Sequence, residues 1–121
     1  RNYVMVHSKL CDELFEIIET RKHGDAEASY TAKLFSKGPA IIGRKLNEES
    51  VEALIAAAQD NPSELAQEAA DVIYHLLVLL ASMDVSIGEV LDILAKRQGV
   101  SGLEEKASRR AAEHKGVTKG D

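Results

Sequence analysis

Glu48, Glu49 and Glu52 fall within one five-residue stretch, and Glu68 and Asp71 stand three apart sixteen positions further on. On a helix, residues three and four apart project from neighbouring points on one face, so each group crowds like charges together. Glu68 and Asp71 sit in a segment made otherwise of Ala, Val, Ile and Leu, a pattern that predicts burial over most of its circumference. Carboxylates in that setting are costly unless protons or cations offset them. Hard oxygen ligands are what Mg²⁺ takes. The economical chemistry is a divalent metal site built from Glu48, Glu49, Glu52, Glu68 and Asp71. A single Glu-x-x-Glu is ordinarily a solvated surface pair; its combination with Glu-x-x-Asp inside an apolar helix sets this one apart.

Two helices must position these groups. Pro39 after Gly38 suits the first position of a helix running to about Gln59, stopped by Asp60-Asn61-Pro62. Asn61-Pro62-Ser63-Glu64 has the form of a cap, a first-turn proline and an acidic third position, and opens a helix through about Met83. A tight turn between them makes an antiparallel pair with the carboxylates facing one another, about two turns from the connection. Before this pair, Leu10, Leu14, Ile17 and Ile18 recur at helical spacing behind Ser8 as a cap. The stretch 23–38 lacks a sustained apolar stripe and reads as a loop with one short helical turn. Ser86 with Glu89 opens a last helix, and the tail reads as disordered after about Arg110. The first six residues carry no periodic pattern.

With 121 residues, 45% hydrophobic and only 4% aromatic, the chain is expected to be one all-α domain spanning 1–121, with its core over about 8–110. A helical chain of this size often completes its core by pairing, so a homodimer is expected. The net charge of −5 and the lack of a basic block argue against nucleic acid as a partner. Cys11 alone cannot form an intrachain disulfide, and no charged-then-apolar leader precedes the first helix, so the cytoplasm is the expected compartment. The most apolar stretch, 72–81, is about half a membrane span, and no membrane association is expected.

Four segments carry a resemblance: Ser29-Tyr30-Thr31-Ala32-Lys33-Leu34, the run from Lys45 to Glu52, the run from Glu68 to Leu80, and Glu105-Lys106-Ala107-Ser108-Arg109. Together they resemble the phosphoribosyl-ATP pyrophosphatase of histidine biosynthesis, over about residues 8–110. That family is one of the MazG-like all-α nucleoside triphosphate pyrophosphatases, with Glu-x-x-Glu on one helix and Glu-x-x-Asp on the next. The resemblance implies a dimeric bundle of four- to five-helix chains that hydrolyses phosphoribosyl-ATP to phosphoribosyl-AMP and pyrophosphate with Mg²⁺, the second step of the pathway. Asn47 stands where the family pattern has glycine, a departure that bears on local packing or substrate selectivity. The chain would be the form not fused to the next enzyme.

On this reading Glu49, Glu52, Glu68 and Asp71 hold Mg²⁺, and Glu48 or Glu49 orients or deprotonates the attacking water. Lys33, Lys37, Arg44 and Lys45 are candidates for phosphate contacts, with Lys106 and Arg109 closing over the substrate from the tail. Each taken alone is as readily a solvated charge, and Lys45 is also spaced for an ion pair with Glu49. His75 reads as a satisfied core histidine, Tyr74 as packing, and Tyr30 as packing or a stacking surface. Two rival readings share these features: a house-cleaning pyrophosphatase acting on free nucleoside triphosphates, and a helical dimerisation module without catalysis.

Overall fold

The computed structural model describes residues 7, 9–98, 106 and 109–113. Among them run five bounded helices and no strand: α1 Leu10–Thr20, α2 Tyr30–Lys37, α3 Pro39–Ala58, α4 Pro62–Ser82 and α5 Ile87–Arg97. The fold is all-α. The chain divides between Gly88 and Glu89 into two compact units, and α1 to α4 belong to the first.

The segment 23–38 is more structured than its pattern suggests, because α2 occupies its second half. Ser29 at the N-cap is extended, and its Oγ accepts from the backbone N–H of Ala32 at 3.3 Å. Thr31, Ala32 and Leu34 are then buried. Eight residues are too few to display a sustained stripe, so tertiary burial rather than periodicity supports this helix. Gly38 ends it at φ +85°, a conformation glycine adopts without steric cost, and serves at once as the N-cap of α3 with Pro39 following.

The hairpin between α3 and α4 closes in three residues. Gln59 is the C-cap; Asp60 turns left-handed at φ 53°; the N–H groups of Asp60 and Asn61 donate to the carbonyls of Ala57 and Ala56 at 3.1 and 3.0 Å. These two bonds satisfy carbonyls that the helix leaves free. The Asn61 side chain then accepts from the N–H of Glu64 at 3.1 Å, opening α4. α4 ends by the same device, with Asp84 at φ 57° and Val85 donating to Leu80. Lys22 pairs with the Asp84 carboxylate and donates to the Ala81 carbonyl at 2.8 Å, tying the turn after α1 to the end of α4. That ammonium holds the Asp84 carboxyl below the usual range.

α3 packs chiefly against α4, and α1 and α2 lie on α4 as well. The core comprises Phe15 and Ile18 from α1, Ala32 and Leu34 from α2, Ile42 and Ala56 from α3, and Leu77, Val78 and Ala81 from α4. Leu10 and Ile17 of the expected α1 stripe instead face solvent, and Phe15 takes the buried register. The expected cap at Ser8 lies outside the described residues, and Lys9 holds the N-cap position. α4 is long and apolar enough by length and composition to cross a bilayer, yet its buried face is packed in this core. Its burial is also less complete than its sequence suggests, since Leu65 and Ile73 are exposed. In the tail, residues 109–113 are helical, so helix extends past Arg110; the positions after 113, where disorder was expected, lie outside the described residues.

Candidate active site

The antiparallel pairing of α3 and α4 brings carboxylate oxygens of Glu49, Glu68 and Asp71 within 4.8 Å of one another. Glu49 and Glu68 are half-buried and Asp71 is exposed, so the cluster has a protein side and an open side. Glu52 stands one turn along α3 from Glu49 and within hydrogen-bonding reach of both Glu49 and Glu68. Glu64, one turn before Glu68, adds a fifth carboxylate. With all of them ionised there is no donor in the group, and Oε2 of Glu68 is buried without a hydrogen-bond partner. Only a proton or a cation supplies what that oxygen lacks.

The electrostatics follow. The neighbouring Glu64 and Glu52 carboxyls, with partial burial, push the Glu68 carboxyl up to about 7. Burial first, and then Glu52, also raise Glu49. A carboxyl raised in the folded state binds its proton more tightly there than in the unfolded chain. Its contribution to stability is therefore full below about pH 4.5 and lost as pH rises through about 7. In EDTA the melting temperature of the wild type should fall between pH 6 and 8 relative to Glu68→Gln, read by circular dichroism. Parallel pH profiles for the two proteins would contradict this.

Glu48 lies outside the cluster. It is exposed and pairs with Lys45 at 3.5 Å, so the ion pair open to Lys45 forms with the residue three ahead rather than with Glu49. Lys45 is half-buried, and its charge acts on the Tyr30 hydroxyl. Arg44 is exposed on α3. Lys33 and Lys37, one turn apart on α2, line a cavity of about 630 Å³ together with Ser29, Tyr30, Ser36 and Glu27. Lys106 and Arg109 are exposed in the second unit, where they share a depression with Arg110 and Glu113. Asn47 is exposed, so its side chain meets solvent where a glycine would leave space.

His75 is 5% exposed and fully engaged. Its Nδ1 lies 2.8 Å from the Asp71 backbone carbonyl, which can only accept, so Nδ1 carries the proton. Nε2 then accepts from the Tyr30 hydroxyl at 3.0 Å. The rings of Tyr30 and Tyr74 both meet His75 edge-on, and the Tyr74 hydroxyl bonds to Thr31. α2 is thereby fastened to α4 one turn beyond Asp71. Burial raises the Tyr30 hydroxyl, Lys45 opposes that, and Glu49 and Asp71 reinforce it. Reading by motif missed Glu64, which served only as a capping residue there; its position four before Glu68 was the available signal. It also missed the Tyr30–His75 bond, which joins residues 45 apart.

The class defined by this fold and site is an all-α protein with opposed carboxylates on the two arms of a helical hairpin. The family model described as phosphoribosyl-ATP pyrophosphohydrolase matches residues 11–98. The phosphoribosyl-ATP pyrophosphatases of Ruegeria sp. (strain TM1040) and Rhodobacter capsulatus are 51% and 54% identical to this chain, over 83% and 76% of it and 95% and 89% of their own lengths. That of Caulobacter sp. (strain K31) is 52% identical over 84% of this chain and 94% of its own. The chain belongs to the phosphoribosyl-ATP pyrophosphohydrolase family and is an enzyme. The resemblance read from the four sequence segments is borne out.

Proposed function

We propose that the chain hydrolyses phosphoribosyl-ATP to phosphoribosyl-AMP and pyrophosphate with Mg²⁺, as the second step of histidine biosynthesis in the cytoplasm. The observation that carries this reading is the convergence of Glu49, Glu68 and Asp71 within 4.8 Å in a chain of this family. The residues fit a hard cation: the donors are carboxylate oxygens, and the buried Oε2 of Glu68 has no partner of its own. Glu49, Glu52, Glu68 and Asp71 would hold it. Bound there, Mg²⁺ supplies positive charge that neutralises the triphosphate and polarises the scissile phosphoanhydride.

The remaining work falls to side chains. Glu49, inside the cluster, would accept the proton of the attacking water as the new P–O bond forms and pyrophosphate leaves. Glu48 is the weaker choice of base, since it faces solvent and its charge is matched by Lys45. Lys45, beside Tyr30, is placed to meet a phosphate oxygen at the edge of the cluster. The test is pyrophosphate release from phosphoribosyl-ATP set beside ordinary dNTPs. Comparable release from dNTPs with none from phosphoribosyl-ATP would replace this reading with the house-cleaning one.

The homodimer belongs to the same proposal. α3 leaves Val51, Leu54 and Ile55 exposed at helical spacing, and α4 leaves Leu65 and Ile73 exposed. An apolar stripe on each arm of one hairpin is surface that a second copy would cover.

A further inference from the structure

Resting on that reading of the substrate, we propose that the cavity between the loop 26–29 and α2 is a subsite for the substrate's phosphomonoester, the ribose 5-phosphate end remote from the triphosphate. Phosphoribosyl-ATP carries phosphate at two ends, and the two need different partners. The triphosphate suits carboxylates that hold a cation; a phosphomonoester dianion reaching the same carboxylates would be repelled. It needs fixed positive charge and hydrogen-bond donors held apart from the acidic cluster.

The cavity offers these. Its volume is about 630 Å³, within the range of small-molecule sites. Lys33 and Lys37, one turn apart, put two ammonium groups on its wall, and among the described residues neither forms an ion pair. Ser29 adds a hydroxyl, whose oxygen accepts from the Ala32 N–H at 3.3 Å and from the Arg21 guanidinium at 3.4 Å, while the Ser36 hydroxyl in the lining donates to the Lys33 carbonyl. Glu27 is the one carboxylate in the lining, so the balance of charge there is positive although the chain as a whole is acidic. Tyr30 connects the two regions. It lines the cavity, and its hydroxyl donates to His75, which in turn donates to the backbone carbonyl of Asp71, whose side chain is in the cluster. A substrate with one end on the carboxylates and the other on Lys33 and Lys37 would pass over Tyr30.

The test uses the full chain and two readouts. In steady-state assays with Mg²⁺, Lys33→Ala with Lys37→Ala should raise KM for phosphoribosyl-ATP about 100-fold, the value of two charge-assisted bonds, while kcat moves far less. Lys33→Arg with Lys37→Arg should recover most of that loss. In a separate titration without Mg²⁺, ribose 5-phosphate should shift the amide signals of residues 29–37 in the wild type and not in the Ala variant. Both Lys positions are exposed, so folding is retained and checked by the remaining spectrum. An unchanged KM, or a loss confined to kcat, would overturn the subsite while leaving the reaction standing. Should the wild type hydrolyse no phosphoribosyl-ATP, the reaction fails, and the titration decides the subsite alone: shifts lost in the Ala variant support it, and no shifts overturn it.

Discussion

Asp71→Asn should lower kcat/KM for phosphoribosyl-ATP about 1000-fold or more, equivalent to about 4 kcal/mol of transition-state stabilisation, and should leave the fold intact. The two halves of this expectation have separate causes. Asp71 offers a carboxylate oxygen to the cluster it forms with Glu49 and Glu68, and an amide is a poorer ligand for a hard cation that must also balance a triphosphate. Its contribution to folding is small, because the side chain is exposed and Asn and Asp have similar helix propensity. The backbone carbonyl that accepts from His75 is untouched by the substitution. Removing one of several crowded negative charges even favours the metal-free fold. The check is steady-state kinetics beside a thermal melt in EDTA. A loss of less than tenfold, or a melting temperature well below that of the wild type, would show that Asp71 serves packing rather than chemistry.

Leu54→Asp with Ile73→Asp should weaken self-association by about 10⁴-fold or more, given about 1.5–3 kcal/mol for each buried aliphatic side chain and a two-fold interface in which each substitution counts twice. Within one protomer the same changes cost little, since Leu54 is 66% exposed and Ile73 47%. The effect is therefore on assembly and not on the helices. Sedimentation velocity at micromolar concentration should find a dimer in the wild type and a monomer of unchanged helicity in the variant. A wild type that sediments as a monomer would remove the second copy from the account and leave the apolar stripe of α3 and α4 without an occupant.

Legibility in the sequence tracked how local each signal was. The hairpin was readable because its stops are short-range: Pro39 behind Gly38, and Asn61-Pro62 with Glu64 three on, act within one turn of chain, and the structure uses them as such. The family was readable because four separate segments carried it. α2 was not, because its eight residues are supported by burial of Thr31, Ala32 and Leu34 against elements distant in sequence. Glu48 and Glu49 are adjacent and chemically identical, so only the rotation of α3 against α4 separates the solvent-facing one from the one in the cluster. The Lys22 clasp on Asp84 and the Tyr30 bond to His75 join positions 62 and 45 residues apart. No pattern in a single chain announces such pairs. Leu65 and Ile73 of α4 are exposed where its pattern predicts burial over most of the circumference, because composition reports that a side chain is apolar, not which surface covers it.

The most direct measurement is pyrophosphate release from phosphoribosyl-ATP by the purified chain, with Mg²⁺ and again in EDTA, with dATP and dCTP as parallel substrates. The expected result is one pyrophosphate and one phosphoribosyl-AMP per substrate consumed, turnover only when Mg²⁺ is present, and a strong preference for phosphoribosyl-ATP over both dNTPs. Turnover that persists in EDTA, or release from dATP and dCTP with none from phosphoribosyl-ATP, would contradict it.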